Sequence, residues 1–178
     1  MANIGSHVDG LGMCVNTSIE ILCHYLGLSQ YYGYRDWTAK KEGGGSYSKK
    51  VDQQLAAWEK AMGVTEPVPY LQYEGPNPEA VLEALDRAGL PCAHTYGWSP
   101  RYNKRIAHMV CGVHYGTPGQ YAVVLDNNPM QDFNPAQNKI FEWMSREEMI
   151  RRAKLGQSGN MWIFAWLAPP PPPVPKAK

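Results

Sequence analysis

The sequence predicts an α+β fold, helices first and an antiparallel sheet after, on three observations. Apolar residues recur at helical spacing as far as Gly89 and at two-residue spacing beyond it. Two of the alternating runs are joined by Gly116-Thr117-Pro118-Gly119, the punctuation of a hairpin. There is no internal repeat, and strands do not alternate with helices as they do in crossover units. A chain of 178 residues favours one compact domain, here 1–168, followed by a proline-rich tail, 169–178.

Residues 1–12 are punctuated by Gly5, Gly10 and Gly12 and read as a loop. A helix is expected from Cys14 to Leu26, with Val15, Ile19, Leu22 and Leu26 on one face and Gly27 ending it. Residues 28–47 hold Tyr31, Tyr32, Tyr34 and Trp37 without a clear period. They read as an irregular, partly packed segment ending in the flexible turn Gly43-Gly44-Gly45. Ser48 caps an expected helix over 49–62, with Val51, Leu55, Trp58 and Met62 inward. Pro67 and Pro69 break the next stretch. Asn77 as N-cap and Pro78 at the first helical position then open a helix carrying Val81, Leu82 and Leu85. Strands are expected over 91–97, 106–115 and 121–126, a polar loop over 127–138, and a short strand over 139–143. The pair Ser145 and Glu148 forms a capping box for a helix over 146–154, and 161–167 reads as a well-buried last strand. The tail, Pro169 to Pro173 with Pro175, cannot enter a sheet and reads as polyproline II: a stiff end, or a segment that contacts a partner's aromatic groove.

Composition excludes several classes of function. Net charge is +1, so no field steers nucleic acid or an anionic membrane. No apolar run is long enough to span a bilayer, and no signal peptide is visible, which makes the cytoplasm the default compartment. The four cysteines, Cys14, Cys23, Cys92 and Cys111, form no CxxC unit, and three of them lie within apolar patterns. Reduced thiols are expected. His108, Cys111 and His114 are dense in metal-ligating types, but on a strand the two histidines lie about 20 Å apart and Cys111 points the other way. No metal and no cofactor is expected.

The chemistry-bearing pattern begins at Cys14, which follows a glycine-rich loop and opens a helix. A helix N-terminus carries partial positive charge and unused N–H groups, which favour a thiolate and can hold an oxyanion. Cys23, mid-helix on the apolar side, is the contrast: a packing residue. A nucleophilic thiol needs a base. Of the five histidines, His24 sits toward a helix edge, His94 is mid-strand, and His7 approaches Cys14 from the preceding loop. His108 opens an apolar strand just after the loop carrying Trp98 and Tyr102, where a cleft-facing base belongs. The end of the next strand lies beside the start of this one in a hairpin, which sets Asp126 next to His108 as the orienting group. Residues 126–129 also favour a plain turn.

With these residues in view, the segment Cys14-Val15-Asn16-Thr17-Ser18, continuing through Tyr25 to Gly27, resembles the first helix of the C39-like branch of papain-like cysteine peptidases. His108-Met109-Val110-Cys111-Gly112-Val113 and Val123-Val124-Leu125-Asp126 resemble that family's histidine and aspartate strands. Leu82 to Cys92 and Trp143 to Met149 resemble the linking pieces, so the likeness extends over about 14–150. It implies a papain-like fold, with the cysteine helix packed on an antiparallel sheet that carries histidine and aspartate. It implies thiolate attack, a thioester and hydrolysis, with a peptide or protein as substrate. The family places a glutamine about six residues before the cysteine. Here Val8 stands there, and His7 is the nearest donor. Loss of one oxyanion donor removes about 2.7–4 kcal/mol of transition-state stabilisation, so either His7 substitutes, activity is weak, or the site is relict. Asn127 is the alternative orienting residue. Three functions compete: a cysteine peptidase or amidase with Trp98 and Tyr102 as cleft walls; a transglutaminase-like acyltransferase using the same three groups; and a catalytically inactive binding or structural module, for which 11 Tyr, 6 Trp and the tail also speak.

Overall fold

A computed structural model describes residues 13–42, 46–99, 104–112, 120–124, 141–156 and 158–168. It is α+β, as the change of period predicts. In chain order the elements are α1 (Cys14–Leu26), a 3-10 turn (Ser29–Tyr31), α2 (Tyr34–Glu42), α3 (Ser48–Met62), β1 (Tyr70–Gly75), α4 (Glu79–Ala88), β2 (Cys92–Ser99), β3 (Lys104–Gly112), β4 (Gln120–Val124), β5 (Phe141–Ser145), α5 (Arg146–Lys154) and β6 (Met161–Trp166). The six strands form one sheet in the order β1-β6-β2-β3-β4-β5, and every described pairing is antiparallel.

Both faces of the sheet are covered. Met109, Cys111, Phe164 and Trp166 face α1, α2 and α3, where they meet Ile19, Leu22, Tyr34, Leu55 and Trp58. Val110, Val123 and Ile163 face α4 and α5, where they meet Leu82, Leu85, Met149 and Ile150. β6 is buried at every position, as a strand with helices on both sides must be.

The α1 boundaries match the spacing. Gly27 takes the left-handed conformation (φ 72°), and its N–H closes on the Cys23 and His24 carbonyls. Ser145 caps α5 as expected, its Oγ accepting from the Glu148 N–H at 3.2 Å. Three details differ. α4 begins after Pro78 without a side-chain cap; the Asn77 N–H donates to the Tyr73 hydroxyl. Ser48 lies inside α3, its hydroxyl directed to Glu74. Met62, expected inward, is exposed. The stretch broken by Pro67 and Pro69 continues as strand β1, the proline standing just before it.

The larger departure is the segment read as irregular. Within 28–47 lie the 3-10 turn and α2. What starts α2 is remote in sequence. The buried Glu20 carboxylate of α1 accepts the Gly33 N–H at 2.8 Å and the Arg35 N–H at 2.7 Å, filling the role that a local cap side chain normally has. Glu20→Ala is expected to lower stability by about 2 kcal/mol, because two amide groups lose a charged acceptor. It should also speed hydrogen exchange at Gly33 and Arg35. An unchanged urea midpoint would remove Glu20 from this role.

Candidate thiol site

Cys14 is the first residue of α1, behind the buried Met13. One turn later Ser18 donates from Oγ to the Met109 carbonyl at 3.1 Å, and the Cys111 thiol donates to the Ser18 carbonyl at 3.1 Å. These bonds lay α1 along β3. They bring the Cys14 sulfur to the Met109 backbone, whose N–H, with those of Val15 and Cys14 itself, favours the thiolate. Met109 is the residue after His108.

The thiol is not lowered as the helix terminus alone would suggest. Burial pushes it above its ordinary value, and the backbone N–H groups only partly offset this. The residue keeps some exposed surface, yet its side chain packs against the core cluster on the α1 side of the sheet, with the sulfur beside Met109 and Val15. A thiol in that state reacts only if a partner takes its proton.

His108 is half-buried and lies opposite Tyr96 of β2. It does not open its strand. β3 begins at Lys104, because the polar residues Lys104 and Arg105 pair with Ser99 and Trp98 across a register shift beside Gly97. Alternation sets the His108 Cβ on the face of Tyr96 and Val110, whereas Met109 and Cys111 face α1. The fold therefore brings Cys14 to the neighbour of His108 but starts the two side chains from opposite faces. To meet, they have to come around the edge of β3 that looks away from β2. The described part of the β3–β4 ladder covers Cys111 and Gly112 on that edge, and its last β4 residue is Val124.

Asp126, Asn127, His7 and Tyr102 lie outside the described residues, as do His114 and the tail; Trp98 is described only as a backbone position opposite Arg105. The other candidate side chains separate clearly. Cys23 is fully buried, and burial pushes its thiol far up. Cys111 is pushed up to about 12. His24 is exposed at the end of α1, stacked on Tyr32 at 3.9 Å. His94 is fully buried at mid-strand, and burial lowers it to about 4. Among the described histidines, His108 alone adjoins the residue that Cys14 touches. No described group of three or more His, Cys, Asp or Glu residues is placed to hold a metal ion, and no described helix is long and apolar enough to cross a membrane.

Two groups of residues escaped the sequence reading. Asn16, two positions after Cys14, is buried and donates from Nδ2 to the Tyr34 hydroxyl (3.3 Å) and to Gln54 Oε1 (3.1 Å), which also accepts from Ser46 (2.9 Å). The signal was present: an asparagine in the first turn of α1, and a glutamine beside Val51, Leu55 and Trp58 on the inward face of α3. The second group is centred on Arg152 of α5, which donates to the Tyr96 hydroxyl at 2.8 Å and to both oxygens of Glu142 at 2.8 and 3.0 Å. It joins β2 and β5 on the Tyr96 face, beside the pair that contains His108.

No protein-family model, curated protein or solved structure matches this chain.

Proposed function

We propose that the protein is a papain-like thiol hydrolase that cleaves peptide or isopeptide bonds, with Cys14 as nucleophile, His108 as general base and Asp126 as the group that orients the imidazole. The observation that carries this reading is the placement of the Cys14 sulfur, at the first residue of α1, against the backbone of Met109, the residue after His108. In this reaction His108 removes the Cys14 proton as sulfur attacks the substrate carbonyl carbon. The first-turn N–H groups of α1 receive the oxyanion. The imidazolium returns the proton to the departing amine, leaving a thioester on Cys14. Water, deprotonated by His108, then releases the acid and restores the thiol.

The raised thiol and the opposite-face origin of His108 favour a second reading, a module that keeps the fold without the chemistry. Alkylation of Cys14 by iodoacetamide against pH, followed by peptide mass spectrometry, separates the two. A hydrolase shows rapid Cys14 labelling below pH 7 that falls about 10–100-fold in His108→Ala, with Cys23 and Cys111 inert. Slow labelling at ordinary thiol pH, unchanged by His108→Ala, leaves the binding module as the function. In an active protein, product analysis with an added amine distinguishes hydrolysis from acyl transfer.

A further inference from the structure

We infer that Gln54 of α3, acting through Asn16, is a positioning residue for Cys14, an inference that rests on the thiol-hydrolase reading. Successive α-helical residues are about 100° apart. Cys14 and Ser18 therefore lie on one side of α1, and Asn16 and Glu20 lie nearly opposite. The polar contacts follow this division. Ser18 bonds to the Met109 carbonyl of β3, with the Cys14 sulfur beside the same residue, while Asn16 reaches Gln54 and Tyr34, and Glu20 holds the start of α2. The helix is fastened on both flanks, so its roll about its own axis is set by polar groups rather than by the apolar face alone.

Roll is the motion to which a nucleophile on this helix is most sensitive. A side-chain tip stands about 5–6 Å from a helix axis, so a roll of about 10° shifts the sulfur by about 1 Å, and a displacement of that size is worth about a hundredfold in rate. Asn16 is the fastening nearest Cys14, and it is held by Gln54 Oε1, which Ser46 in turn orients. Asn16, Tyr34 and Gln54 are all almost fully buried, so water does not readily replace a lost partner.

The test uses the full chain and iodoacetamide labelling of Cys14 at pH 6. Gln54→Met, which keeps length and removes the acceptor, is expected to slow labelling about tenfold. Asn16→Val should do the same, and the double variant should be no slower than either, because one path is broken twice. In a His108→Ala background Gln54→Met should have no effect; mere loosening of the fold would instead expose the sulfur and speed labelling in both backgrounds. Should Gln54→Met fail to fold, Tyr34→Phe removes only the hydroxyl that accepts from Asn16 and is expected to give about threefold. Fast, His108-dependent labelling in wild type that these variants leave unchanged or accelerate would overturn the positioning role and leave the hydrolase standing. Slow or His108-independent labelling in wild type would end the hydrolase reading, and the positioning role with it.

Discussion

Gly97→Ala is expected to lower stability by about 3 kcal/mol or more, or to prevent folding altogether. A Cβ on Gly97 would stand 2.1 Å from the Gly156 nitrogen, 2.6 Å from its Cα and 2.8 Å from the Ala153 carbonyl oxygen. All three are backbone atoms at the end of α5, so no side chain can swing away and the helix itself must retreat. Overpacking of this kind usually costs about 1–3 kcal/mol, and more where rigid elements meet. Gly156→Ala is the control. Its Cβ meets the Ala153 oxygen at 3.2 Å and the Gly97 Cα at 3.5 Å, so about 1 kcal/mol is expected. Urea unfolding of the two variants checks the contrast, and equal midpoints would refute it. Because Gly97 sits at the register shift next to Tyr96, a surviving Gly97→Ala protein should also lose part of its Cys14 labelling.

Acidification should destabilise the protein through His94. Its Nδ1 lies 3.1 Å from the Thr95 carbonyl, which fixes the proton on Nδ1, and Nε2 is buried with no hydrogen-bond partner among the described residues. A second proton would meet no acceptor among the described residues. The ionisable groups on that side of the sheet include Cys92 and Tyr96 on β2, His108 on β3, Tyr121 on β4, Asp86 on α4, and Glu148 and Arg152 on α5. Those whose bonds are described are engaged elsewhere, Tyr121 with Asp86 and Arg152 with Tyr96, Glu142 and Glu148. Burial is accordingly the main influence on His94 and holds it at about 4, whereas an unfolded histidine titrates near 6.5. Between these values the unfolded chain binds a proton that the folded chain refuses. Stability is thus full above about pH 6.5 and falls by about 3 kcal/mol as the pH drops to about 4. Glu148, lowered to about 2 by Arg151 and Arg152, loses its contribution at lower pH, so the two effects separate. Urea midpoints across pH 4–7 should slope steeply in wild type and flatten in His94→Leu. An equal slope in the variant would assign the effect to other groups.

The legible parts of the fold are those whose cause is local. The apolar spacing of Val15, Ile19 and Leu22 with Gly27 behind them gives α1 its bounds, and Ser145 with Glu148 gives α5 its start. What stayed hidden has a distant cause. α2 begins because Glu20 reaches across from α1, and nothing inside 28–47 announces it. β1 exists because Tyr70 to Gly75 pair with Trp166 to Met161; after two prolines, six residues with mixed burial carry little signal of their own. The site divides in the same way. That Cys14 opens a helix could be read from the chain. The adjacency of its sulfur to Met109 is a tertiary fact, and so is the cost of burying that sulfur. The alternation that sends Met109 toward α1 and His108 away from it could be counted along the strand, but only the docked helix shows which face matters.

The sheet order has a consequence for how the molecule is made. β6 sits between β1 and β2, bonded to both, and it is the last described strand in the chain. Until residues 161–166 leave the ribosome, β1 has no neighbour among the described strands, and both faces of the sheet lack the core residues that β6 supplies. The earlier segments must wait, with Phe164 and Trp166 absent from the cluster that buries Tyr31 and Leu55. Contacts so far apart in sequence place this chain among slow folders, and its half-made form exposes the strand edges that chaperones recognise.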